Sequence, residues 1–191
     1  MTINESETLE RLLENVHTGE IQIPEFQRTL NLQQDWTISL LASVSLNYPI
    51  GAVTLLRTDR RLPFSSRPVP GAPDISREPE MLLIDGQYRL AALYQAFRQG
   101  GDHSYYLDVD AARNRGIDRD QAIVADAEPP APGLFPLNRV FGPSGAAHEV
   151  LRGFREYEVP IIVLEAETAR WTVRVHGGPN GPDLSERFFG R

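Results

Sequence analysis

At Asp85-Gly86 the hydrophobic pattern of the chain changes period, and that change constrains the fold more than any other feature. Before it, Met81-Leu82-Leu83-Ile84 is a short unbroken apolar run, the pattern of a buried strand. After it, Leu90, Leu93, Tyr94 and Phe97 recur at the spacing of an amphipathic helix, which Gly100-Gly101 ends. A strand that turns directly into a helix commits the chain to a mixed architecture. Elsewhere strand and helix patterns follow one another without a strict βαβ rhythm. The expectation is an α+β fold, a mixed sheet with flanking helices.

Leu9, Leu12, Leu13 and Val16 predict a first helix, capped by Asn4 or Ser6 and stopped by Gly19. Residues 21–24 read as extended, since Pro24 biases Ile23 away from helix. A second helix is predicted over about 32–46, with Trp36, Leu40, Leu41 and Val44 on one face. Residues 50–56, 105–109 and 159–164 read as strands, the last of them central, and Trp171, Val173 and Val175 alternate like another. A short helix is expected over 148–154 and a turn over 177–182. Residues 110–143 give no clear pattern. Residues 58–79, with Pro63, Pro68, Pro70, Pro73 and Pro79, read as one long loop. No internal repeat is present, and residues 1–191 are expected to form a single domain.

Cysteine is absent, which excludes disulfides, cysteine zinc sites and thiol catalysis. All 19 basic residues are arginine, so a P-loop lysine and Schiff-base chemistry are excluded too. The formal charge of −7 argues against a wholly basic nucleic-acid binder. Arginines nevertheless gather at Arg57, Arg60, Arg61, Arg67 and Arg77, against only Asp59, Asp74 and Glu78 nearby. The apolar run 161–164 is too short to cross a bilayer, and Glu5, Glu7, Glu10 and Glu14 do not suit a signal peptide. A soluble, cytoplasmic chain without membrane contact is expected.

The junction 84–90 carries the clearest chemistry. A strand ending in Asp-Gly and opening a helix exposes N–H groups with partial positive charge, and glycine lets a ligand approach the backbone. Arg89 adds a guanidinium for phosphate, Gln87 a donor or a water-orienting amide, and Asp85 a hard oxygen ligand for Mg²⁺. Alone, these residues leave two readings open: an anion site, or Asp85 as a helix cap beside a turn glycine. Pro24, Phe26, Gln27, Arg28 and Trp36 form a second cluster, which reads either as a sugar–phosphate contact or as core aromatics with a salt-bridging arginine. His17, His103, His148 and His176 lack metal-ligand spacing, Glu165 and Glu167 are weak metal candidates, and no Gly-x-Ser-x-Gly elbow occurs.

Taken in order, Ile23 to Arg28 (I-P-x-F-Q-R), the Trp36 helix, Pro49-Ile50-Gly51, Asp85 to Leu90 (D-G-Q-x-R-L) and Ala91-Ala92-Leu93 resemble a known family. They are similar to the DGQQR-motif domains of bacterial phage-defence restriction proteins, which have a ParB/sulfiredoxin-like core. Members include the GmrS half of the GmrSD endonuclease and the N-terminal domain of SspE, a phosphorothioate sensor, which is the nearer likeness. Tyr88 stands where many members have glutamine. Asn180-Gly181-Pro182-Asp183-Leu184 matches a later family element only in part.

The resemblance implies hydrolysis of GTP or ATP with Mg²⁺. Asp85, Gln87 and Arg89 would be catalytic, with Asp85 holding the metal. Gln27, Arg28, Asp85, Gly86, Gln87, Tyr88 and Arg89 would surround the nucleotide. It also implies recognition of modified DNA: a phosphorothioate in an apolar cup of Pro24, Phe26 and Trp36, with Gln27 or Arg28 on the remaining oxygen. Arg57, Arg60, Arg61 and Arg67 would hold the DNA backbone. Glucosylated cytosine, as in GmrSD, is the alternative mark, and a non-catalytic ParB-like DNA- or protein-binding module is the rival function. The expected partner is an HNH nuclease domain, C-terminal or separate, because no such signature lies in these residues. A homo-oligomer is compatible with this reading.

Overall fold

A six-stranded mixed sheet carries the junction, and helices flank it. The computed structural model describes residues 2–46, 48–58, 65–98, 100–113, 116, 118–127, 133–141 and 170–176. In chain order the elements are β1 (Thr2–Thr8), α1 (Leu9–His17), β2 (Ile21–Pro24), α2 (Gln34–Ser45), β3 (Val53–Arg57), β4 (Ser66–Arg67) and β5 (Met81–Asp85). There follow α3 (Gln87–Arg98), β6 (Tyr105–Asp108), α4 (Val109–Arg113), β7 (Ile123–Ala125), β8 (Leu134–Pro136) and β9 (Arg170–His176). The main sheet has the order β1-β9-β3-β5-β2-β4, and β7-β6-β8 make a second, three-stranded sheet. Among the described strands only β9 with β3 and β5 with β2 run parallel. The α+β expectation holds.

The helices form where the apolar stripes lie. Leu9, Leu12, Leu13 and Val16 of α1 are buried with Ile21, Ile23, Leu55 and Leu83 of the sheet. Each such side chain contributes roughly 1.5–3 kcal/mol by leaving water. Leu90, Leu93, Tyr94 and Phe97 of α3 are buried, as are Ala91, Ala92 and Ala96. A helix buried on nearly every side needs small residues where neighbours come close, and α3 packs against α1, α2 and the 3₁₀ turn Leu137–Arg139 beside β8. His17 Nδ1 and the Tyr94 hydroxyl meet at 2.7 Å, and Arg98 donates to Glu14 at 2.7 Å, joining α1 to α3.

Several expectations need correction. Residues 2–8 are strand, so neither Asn4 nor Ser6 caps α1; Thr8 does, accepting from Arg11 N–H at 3.3 Å. The strand expected over 50–56 starts at Val53, after a lead-in whose Gly51 has φ +91°. The proline-rich stretch is not all loop: β4 pairs antiparallel with β2, and Val69 is buried. Residues 110–143 hold α4, β7, β8 and two 3₁₀ turns. The strand of Trp171 and Val173 is present as β9, between β1 and β3. The helix expected over 148–154, the strand over 159–164, the turn over 177–182 and Glu165, Glu167 and His148 lie outside the described residues. Among the described residues no helix is long and apolar enough to cross a membrane.

Candidate functional site

The site grows from the end of β5. Asp85 is its last residue, paired with Thr54 of β3, and Gly86 follows with φ +87°. A Cβ at Gly86 would press on the Arg89 guanidinium, the Ala52 carbonyl and Val53 Cα at 3.2–3.3 Å, so the turn requires glycine. The first bond of α3 runs from Leu90 N–H to Gly86 O at 3.0 Å. The N–H groups of Gln87, Tyr88 and Arg89 therefore have no intrahelical acceptor. Gly86, not Asp85, occupies the cap position, which removes the capping role considered for Asp85. Its side chain is 74% exposed, with the Arg89 guanidinium at a loose 3.8 Å.

Arg89 does not stand free above this helix end. Its Nη2 donates to Ala52 O at 2.6 Å, its guanidinium lies against Gly51, and only 30% of the side chain is exposed. It thus ties the Pro-Ile-Gly segment to the Asp-Gly-Gln junction. Gln27 makes the next tie, donating from Nε2 to Ile84 O at 3.1 Å. Oε1 of Gln27, Oε1 of Gln87 and Nε of Arg89 are buried without a hydrogen-bond partner among the described residues. Buried polar atoms without a partner are rare in folded proteins and each calls for an explanation; Arg98 Nε and Asn138 Oδ1 share the condition away from the junction.

The remaining site residues divide clearly. Arg67 donates to the carbonyls of Gln27 (3.3 Å) and Arg28 (3.1 Å), so the guanidinium expected at a DNA backbone is engaged in shaping the loop. Pro24 is buried in β2 and offers no surface for an apolar cup. Phe26 and Trp36 are 67% and 66% exposed, which overturns their reading as core residues. Arg28 and Arg57 are exposed, while Arg60 and Arg61 lie outside the described residues. The Tyr88 hydroxyl accepts from Gln33 N–H and donates to Gln33 O, both at 3.1 Å, and its ring meets Trp36 edge-on with centroids 5.8 Å apart. The structure therefore gathers Gln27, Asp85, Gly86, Gln87, Tyr88 and Arg89, with Trp36 attached through Tyr88. The partners missed from sequence are Ala52 O, Ile84 O and both backbone groups of Gln33.

No group of three or more His, Cys, Asp or Glu side chains suited to a metal occurs among the described residues. An exposed Asp85 still suits Mg²⁺ brought in by phosphates, since that ion commonly takes one or two carboxylates, substrate oxygens and waters. A separate cleft of about 520 Å³ lies between Thr58, Ser65, Ser66 and residues 74–79. Buried Gln22 floors it, donating to Gly19 O and Arg77 O and accepting from Ser66 Oγ. The polar Gln22 between Ile21 and Ile23 was its one trace in the sequence.

The family model for the GmrSD restriction endonuclease, N-terminal domain, matches residues 9–161. The chain belongs to this family. The GmrSD-family match contains every residue gathered at the junction, and it assigns the chain to a restriction system, which fits a role in defence against phage. No curated protein sequence matches the chain.

Proposed function

We propose that this GmrSD-family domain binds a nucleoside triphosphate at the β5–α3 junction and hydrolyses it to control a nuclease domain in response to modified DNA. The observation that carries the reading is the helix end at Gly86, with N–H groups that have no intrahelical acceptor, an exposed carboxylate at Asp85, and amide oxygens of Gln27 and Gln87 that lack a partner among the described residues. Phosphoryl transfer needs positioning and charge neutralisation more than covalent chemistry. Phosphate oxygens take the N–H groups of Gln87, Tyr88 and Arg89. Asp85, with its exposed carboxylate, would hold Mg²⁺, and the ion would supply charge neutralisation. The Gln87 amide orients the attacking water. Arg89 contributes positive charge from its place against Ala52 and keeps the Gly51 segment in register. The partner is an HNH nuclease domain, in the same protein or separate.

For DNA, the exposed Phe26 supplies an apolar surface beside Arg28. Sulfur in a phosphorothioate is larger, softer and less hydrated than oxygen, so contact with Phe26 favours it while Arg28 holds the charge.

Calorimetric titration with GTP and with ATP, with and without Mg²⁺, tests the nucleotide reading together with phosphate release. Binding that needs or gains from Mg²⁺ is expected, and Asp85→Ala is expected to cut hydrolysis at least tenfold at unchanged melting temperature. A folded protein that binds neither nucleotide under either condition leaves only the non-catalytic DNA- or protein-binding module.

A further inference from the structure

Trp36 is, with Phe26 and Tyr48, one of the large aromatic side chains that core packing leaves exposed. It sits in the first turn of α2, whose Leu41, Ala42 and Val44 face the core, yet two thirds of its surface meets water. An indole presents a large apolar face, and here the Tyr88 ring from the first turn of α3 lies against it, so two aromatic rings meet beside the helix end. We propose that Trp36, braced by Tyr88, is the stacking platform for the base of the nucleotide, a proposal that rests on the nucleotide reading above and extends it to the base.

Two observations support the assignment. The platform is already rigid: the Tyr88 hydroxyl is held by both backbone groups of Gln33, and its ring supports Trp36 at 66° between planes. Rings fixed in advance lose little freedom when a ligand stacks on them. The platform also has the right neighbours. Tyr88 is the second residue of α3, so its side chain runs from the phosphate-attracting helix end to the start of α2, where the indole stands. A ligand lying along that line meets an anion site at one end and a flat apolar face at the other, which is the polarity of a nucleoside triphosphate. Trp36 thereby moves from the DNA cup to the nucleotide.

Inorganic tripolyphosphate separates the two ends of the site. Wild type, Trp36→Phe and Trp36→Ala are titrated with GTP, ATP, tripolyphosphate and an unmodified single-stranded oligonucleotide, after melts confirm that each variant folds. Stacking on an aromatic side chain predicts that Trp36→Ala weakens the bound nucleotide about tenfold. Trp36→Phe retains most of that affinity, and tripolyphosphate binds all three proteins alike. Equal nucleotide affinity in wild type and Trp36→Ala overturns the platform while leaving the phosphate site intact. Loss of oligonucleotide binding alone also overturns it, by giving the indole to a DNA base. If wild type binds neither tripolyphosphate nor nucleotide, the phosphate site fails and the platform falls with it.

Discussion

The Arg89 guanidinium is held by a main-chain carbonyl, so its removal reports on the fold as well as on phosphate. A charged hydrogen bond of 2.6 Å to Ala52 O contributes about 1.5–3 kcal/mol. Lysine carries the charge but not the planar fork that lies along Gly51. Arg89→Lys should therefore lower the melting temperature by several degrees in a thermal scan, whereas Asp85→Asn, at an exposed position, should leave it nearly unchanged. Asp126 offers a test in pH. Its carboxyl is held below the ordinary carboxylate value, chiefly by the Ser104 N–H and then by the His103 side chain. A carboxyl lowered in the fold stabilises above its unfolded value and loses that contribution as pH falls through the folded one. Asp126→Asn should melt slightly below wild type at pH 7, and melts at decreasing pH should show the gap closing as the pH falls through and below the ordinary carboxylate range. The gap stays small because the pair is half exposed.

Between elements, the loop after β4 reaches the end of α3 through two glycines. Gly71 has φ +90°, and a Cβ there would run into the Gly100 carbonyl and the Gln95 side chain. Strain and overlap together should make Gly71→Ala cost about 2 kcal/mol or more, read as a shifted denaturant midpoint. Local pattern predicted the stripes of α1 and α3 well, because their apolar spacing coincides with the faces they bury. It failed at the start of α1, where Asn4 and Ser6 are good local caps but their residues are taken by pairing with β9, far along the chain. It failed at β4 for a related reason: two residues have no period, and only Ile23 and Pro24 across the ladder make them a strand. Of the candidate site, the side chains that meet at the junction were legible in the sequence and their partners were not. Arg89 and Gln27 both bond main-chain carbonyls, which leave no mark in a sequence.

Across the whole molecule, a net charge of −7 opposes the approach of DNA, so the proposed contact has to be local, and the exposed Arg28 and Arg57 are its candidates. Backbone binding should fall steeply with salt as counterions are released. Phe26→Ala should reduce affinity for phosphorothioate DNA more than for ordinary DNA of the same sequence, and that difference should persist at higher salt because it comes from desolvation. Gel-shift titrations of matched duplexes at two salt concentrations check this. Equal binding of both duplexes by wild type would turn attention to glucosylated DNA.

The position of β9 has a consequence for how this protein can be cut. The stretch shared with the family stops at residue 161, but β9 follows it and separates β1 from β3 in the sheet. A fragment ending at 161 keeps every motif, yet β1 loses its ladder partner and β3 acquires an open edge, the kind of surface that recruits other chains. Such a fragment is expected to aggregate when expressed alone, and a synthetic peptide covering Arg170–His176, added during refolding, is expected to return it to solution. The boundary of likeness, at 161, and the last strand of the sheet, at Arg170–His176, are different places in this chain.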